Sequence, residues 1–101
     1  MSAILDQVLI TDHFLRRWYD RVENLDIEEQ AEEYFGRPRE QIGDGEWIFF
    51  VQSRGICTTS WKKHVRRTIG VAPYTGRIVV GCWVVITKNG KAVTVKPAEG
   101  A

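Results

Sequence analysis

Between Trp47 and Ala98 the chain carries no carboxylate, so more than half of it has nothing of its own to set against its lysines and arginines. Cysteine is scarce too: Cys57 and Cys82 stand 25 positions apart, and the N-terminus lacks the basic start and apolar stretch of an export signal. Two buried thiols in a cytoplasmic protein are therefore expected in preference to a disulfide. No apolar run approaches the roughly 18 to 20 residues that a membrane span needs, which argues against a spanning helix. Glycine-rich phosphate loops, a nucleophile elbow and a dinucleotide fingerprint are all missing, which leaves no basis for ATP-driven or hydride chemistry. His13, Cys57, His64 and Cys82 are the only histidines and cysteines, and no two have the short spacing of zinc ligands. Neither a metal nor a cofactor is expected.

What is present suits one ordinary globular domain over residues 1–97, with a tail at 98–101. The 101 residues are 44% hydrophobic and 27% charged, with four tryptophans as large anchors. Net charge is only +1, yet residues 1–50 hold 5 Lys/Arg against 12 Asp/Glu while residues 51–101 hold 9 against 1. Two readings follow. The halves neutralise each other across a packing interface, or the later half presents a positive surface to a polyanion.

Asn89-Gly90 between β-branched runs is a strong hairpin signal, since both residues tolerate the positive φ of a type I′ turn. Ile78 to Ile86, apolar apart from Gly81, reads as one central strand, and the arm bearing Val93 and Val95 as a strand nearer the edge. Gln7 to Ile10 has the pattern of a short additional strand. Thr11-Asp12 caps a helix to about Glu23 whose apolar stripe is Phe14, Leu15, Trp18 and Val22. A second helix, from Asp26 to Gly36, is expected to bury Ile27, Ala31, Tyr34 and Phe35 and to expose Glu28, Glu29, Glu32 and Glu33. Arg39 to Ile42 has room for one more turn. After the loop Gly43-Asp44-Gly45, Trp47 to Gln52 and Ile56 to Ser60 read as a hairpin about Ser53-Arg54-Gly55. In Lys62–Thr68 the positions of Trp61, Val65 and Ile69 fit either a helix or a strand; a short helix capped by Ser60 and stopped by Gly70 is favoured. The fold class is α+β: two N-terminal helices packed on a four- to five-stranded antiparallel sheet.

The densest cationic cluster is Lys62, Lys63, His64, Arg66 and Arg67, flanked by Arg54, Tyr74 and Arg77. Guanidinium and ammonium groups bind phosphate oxygens, and Trp61 and Tyr74 are placed to stack on an unpaired base, which favours RNA or single-stranded nucleic acid over a duplex. His13, Arg17 and Arg21 recur at i, i+4 and i+8 along one helix flank. Metal-free RNA cleavage, in which a 2′-hydroxyl attacks its own phosphate, needs a base and cations over the phosphorane. His13, Arg17 and His64 are the candidates. The plainer alternatives are a first-turn His13 bonding to a loop and a solvated His64.

Ile10-Thr11-Asp12-His13-Phe14-Leu15-Arg16-Arg17, with Arg21-Val22 following and an apolar hairpin at the end, resembles the RelE-like and BrnT-like superfamily of small toxins. Phe14 replaces that family's customary small residue, and the segment from Ser60 to Gly76 has no counterpart in it. The resemblance implies an RNA-cleaving toxin neutralised by a protein antitoxin. The rival expectation is a small non-catalytic protein of a phage or mobile element that binds and inhibits a nucleic-acid-handling complex.

Overall fold

The computed structural model describes residues 4–5 and 8–98, with side chains from Val8 onward. The tail expected at 98–101 lies outside them except for Ala98, as does Gln7 of the expected first strand. Six strands and four α-helices follow in order: β1 Ile4–Leu5, β2 Leu9–Ile10, α1 Asp12–Arg21, α2 Ile27–Phe35, a 3-10 turn Arg39–Gln41, α3 Asp44–Ser53, α4 Thr58–Ile69, β3 Ala72–Pro73, β4 Gly76–Val80, β5 Trp83–Lys88 and β6 Lys91–Pro97. The class is α+β, but the sheet is mixed and the helices number four. Its strand order is β2-β6-β5-β4, with β2 parallel to β6 and the other pairs antiparallel; β1 and β3 form a separate two-stranded ribbon.

The Asn89-Gly90 hairpin forms as the sequence leads one to expect. Asn89 and Gly90 have φ of 54° and 79°, and Lys88 pairs with Lys91 across them. The expected continuous strand from Ile78 to Ile86 does not form. Gly81, at φ 62°, lets the chain reverse at Gly81-Cys82, so Val80 pairs with Trp83 and the apolar run becomes two strands. β6, expected nearer the edge, is an interior strand because two-residue β2 pairs along its other side and forms the edge. A bulge opposite Ile86 and Thr87 leaves Val93 unpaired and turned to solvent.

The larger correction concerns residues 44–60, expected to be a hairpin and found to be α3 and the start of α4. Trp47, Phe50 and Val51 are the buried residues of α3, at i, i+3 and i+4, so the apolar run supplies a helical stripe and not a two-sided strand. Its start is fixed by Gly43, whose N–H donates to Glu46 Oε1 at 3.0 Å, and by the acids Asp44 and Glu46 in the first turn. Helix α4 begins at Thr58 with Cys57 as its cap, not Ser60, and stops at Gly70 as expected. Both cysteines are exposed, contrary to expectation, because one lies at a helix cap and the other in a turn.

Phe14, Leu15 and Trp18 of α1 are fully buried against Val85, Ala92 and Val95 of the sheet, with Val65 and Ile69 of α4 in the same cluster. Tyr19 of α1 stacks on Trp61 of α4 with ring centroids 4.0 Å apart. Helices α1 and α4 therefore cover one side of the sheet, and no described helix covers the other. In α2, Ile27 and Ala31 are buried, but Tyr34 is 54% exposed and Glu28 only 4% exposed, each the reverse of expectation. Glu28 is buried because it meets an arginine from α1, and that meeting builds the site.

Candidate functional site

Arg16 is 7% exposed, and all three nitrogens of its guanidinium are engaged. Nε and Nη2 donate to the two carboxylate oxygens of Glu28 at 2.5 and 3.0 Å, Nη1 to Ile42 O at 2.7 Å and Asp44 Oδ1 at 3.1 Å, and Nη2 also to Arg39 O at 3.0 Å. One side chain thus ties α1 to α2, to the 3-10 turn and to the start of α3. Burial opposes charge on Arg16, yet the hydrogen bond and charge of Glu28, followed by those of Asp44, outweigh it and raise the guanidinium pKa above its ordinary value.

Asp44 carries this order outward. Its other oxygen, Oδ2, lies 3.1 Å from His13 Nδ1. A carboxylate can only accept, so in the neutral imidazole Nδ1 carries the proton and Nε2 keeps its lone pair. Arg17, one turn along α1, brings Nε to 3.5 Å from that Nε2. His13 and Arg17 stand at the mouth of a cleft of about 310 Å³, lined also by Arg16, Glu28, Arg39, Ile42, Gly43 and Asp44. Arg39 in the wall is held by Glu32 at 3.2 Å and Asp20 at 3.5 Å, and its hydrogen bond to Glu32 holds that carboxyl below the usual carboxylate range. A clamped carboxylate, an oriented imidazole and a loosely held guanidinium can take up a proton and face an anion in the same place.

The remaining expected site residues are dispersed away from this cleft. His64 sits on α4 and its Nε2 lies 3.4 Å from Glu23, just past the end of α1. His13 and Glu23 are ten residues apart, about 15 Å along a helix at 1.5 Å per residue, so the two histidines do not converge. Arg21 donates to Val95 O at 2.7 Å and fastens α1 to β6, Lys62 pairs with Asp12 at 2.7 Å, and Arg54 lies over the Phe50 ring at 4.9 Å. Lys63, Arg66 and Arg67 remain on α4 without an ion pair among the described residues, but Trp61 is occupied by Tyr19. Arg77 and Tyr74 belong elsewhere. Arg77 is on β4, beside a depression of about 330 Å³ on the sheet, and Tyr74 lies next to the hairpin tip, its carbonyl accepting from Gly90 N at 2.8 Å.

Most of the ion pairs stay within the earlier half. Of the eight ion pairs among the described residues, six join partners within residues 1–50, and only Lys62 with Asp12 and His64 with Glu23 cross between the halves. Among the described residues Arg16, Arg37 and Arg39 pair only with acids of the early half, and of the later basic residues only Lys62 and His64 meet a carboxylate.

Sequence reading missed Asp44, because Gly-Asp-Gly looks like a loop and here opens a helix, and Arg16, which that reading did not single out from its neighbours. It also passed over Lys88 and Lys91, on either side of the Asn89-Gly90 turn, as site residues. No group of three or more His, Cys, Asp or Glu among the described residues is arranged to hold a metal ion, and no described helix is long and apolar enough to cross a membrane. Searches of family models, curated proteins and solved structures found nothing that matches this chain.

Proposed function

We propose that the protein binds RNA and cleaves it without a metal, using His13 as the base and Arg17 as the phosphate-facing cation. The observation that carries the reading is the Arg16–Asp44–His13 relay, in which Asp44 faces His13 Nδ1 and the other ring nitrogen, Nε2, lies beside Arg17. Nε2 takes the proton of a ribose 2′-hydroxyl, the 2′-oxygen attacks the adjacent phosphorus, and the bond from phosphorus to the 5′-oxygen breaks. That oxygen leaves with a proton from water, and the hydroxide so formed takes back the proton held on Nε2, giving a 2′,3′-cyclic phosphate, a 5′-hydroxyl end and the neutral imidazole. Arg17 neutralises charge on the phosphorane oxygens, exchanging its long contact with His13 for a shorter charge-assisted one. His64 has no part in this step. The kinship with RelE-like and BrnT-like toxins, and an antitoxin partner, belong to the same reading and rest on the His13, Arg17 and Arg21 spacing and the final hairpin.

Loss of a general base costs typically 10²–10⁴-fold in rate, so His13→Gln should lower cleavage of a mixed RNA by about that factor while leaving the folded spectrum unchanged. Asp44→Asn should lower cleavage as well. If the purified protein neither cleaves nor retains RNA at low salt, the proposal fails. A second reading, a non-catalytic protein that occupies a nucleic-acid-handling complex, draws on the exposed Leu9, Val79 and Val93 of the open sheet face. Copurification with one protein partner, unaltered in His13→Gln, would favour it.

A further inference from the structure

The cleft at His13 does not stand alone. His13 also lines a second depression, of about 400 Å³, with Thr11, Lys88, Asn89, Lys91 and Val93. Lys88 and Val93 in turn line the third, of about 330 Å³, with Arg77 and Ile86. The three depressions therefore adjoin through shared residues and lead from the histidine onto the face of the sheet that no described helix covers. Lys88 and Lys91 are a cross-strand pair beside the turn, and Arg77 is paired with Ile86, two positions before Lys88 on β5. By strand geometry, neighbours along this row have Cα atoms about 5 to 8 Å apart. Arg77, Lys88 and Lys91 join no ion pair among the described residues, and no carboxylate lies between Trp47 and Ala98 to oppose them. Between the cations lie half-buried Ile86 and Val93, 42% exposed; Val79, 63% exposed, continues the apolar surface beyond Arg77, and Tyr74 stands exposed at the hairpin tip.

Resting on the reading that His13 acts on RNA, we infer that a single-stranded RNA crosses this open sheet face, with phosphates on Arg77, Lys88 and Lys91, and reaches His13 from the hairpin side. The α4 cluster, richer in cations but lacking a free aromatic and any of these depressions, is not its path. Phosphates supply the affinity, and the aliphatic strip gives sugars and base faces an apolar contact that is indifferent to sequence. Binding is therefore salt-dependent and sequence-tolerant.

The test uses the full chain and a short 2′-O-methyl oligouridylate, which binds but cannot be cleaved by its own 2′-oxygen. Arg77, Lys88 and Lys91 together with Arg17 make four phosphate contacts on a single strand, for a slope of about −2.8 in log affinity against log salt, or a loss of about 50-fold between roughly 50 and 200 mM. Lys88→Gln/Lys91→Gln should leave two contacts and reduce that loss to about 7-fold, whereas Lys63→Gln/Arg67→Gln should keep the wild-type slope. The opposite pattern, a flat slope from the α4 variant alone, would overturn this path while leaving RNA cleavage at His13 standing. Absence of any binding by the wild type at low salt, with RNA cleavage also absent, would remove the parent reading. Retention of polyglutamate with no retention of the oligonucleotide would overturn the inference and give the face to an acidic protein.

Discussion

Glu28→Gln is the substitution most informative about this molecule, because it removes one charge and almost no volume. In the wild type both members of the Arg16–Glu28 pair are buried, at 7% and 4% exposure, and joined by two hydrogen bonds. Glutamine keeps one accepting oxygen but turns an amide towards a guanidinium that can only donate, so one of the two bonds becomes a clash of donors. The charge on Arg16 remains, buried, with only Asp44 and two carbonyls to answer it. Breaking a buried pair from one side costs about 3–5 kcal/mol, a large part of the roughly 5–15 kcal/mol that holds a domain together. At about 4–8 °C per kcal/mol for a chain of this size, the melting midpoint should fall by at least about 12 °C.

Arg16→Met/Glu28→Leu separates charge from packing. With both ions gone the desolvation cost goes too, and the remaining damage is the Ile42 carbonyl without its donor, at about 1 kcal/mol, since Arg39 O keeps the Ile42 N–H at 3.1 Å. The double variant should thus be more stable than Glu28→Gln alone. Urea unfolding followed by tryptophan fluorescence gives both values. A midpoint for Glu28→Gln that corresponds to less than about 1 kcal/mol of destabilisation would show that the pair is hydrated and that Arg16 does not organise the fold.

Burial, with the charge of Glu23 adding to it, pushes Tyr19 up to about 12. A raised folded-state value means stability fully present below the unfolded value near 10 and lost as pH rises through 12, so alkaline unfolding should begin inside that window and be relieved in Tyr19→Phe, as tyrosinate absorbance and fluorescence together would record. Cys57, exposed at the start of α4, has its thiol pKa lowered by hydrogen bonding to Ser60, then by the Ser60 and Thr59 amides and the charge of Lys63. At neutral pH it should alkylate faster with iodoacetamide than glutathione does, and Ser60→Ala should slow it; mass spectrometry of partly labelled protein would show either outcome.

What the sequence made legible was local. The Asn89-Gly90 turn and the α1 stripe of Phe14, Leu15 and Trp18 each follow from a few adjacent residues, and both formed. The failures came where one apolar run serves two periods. Trp47 to Val51 is aromatic and β-branched enough to read as a strand, yet three of its residues fit a helix face, and what decides between them is the cap at Gly43 and Glu46. The His13 and Arg17 pairing was legible as helical spacing. Asp44 was not, because it comes from 31 residues away and is brought in by Arg16, a contact between elements that no spacing encodes.

That dependence constrains what the site can be. His13 and Asp44 lie in the first turns of α1 and α3, so two helix N-termini converge, and each presents partial positive charge. Asp44, held between Arg16 and His13, is the carboxylate that lets them approach. It also opposes any phosphate that enters. Asp44→Asn therefore acts in opposite directions on the two steps: oligonucleotide affinity should hold or rise as the opposing charge goes, while cleavage should fall as His13 loses the acceptor that fixes its tautomer. A purely structural Asp44 would lower both together, and a purely phosphate-binding His13 would keep cleavage and affinity in proportion. Only a carboxylate that orients a base makes the two move apart.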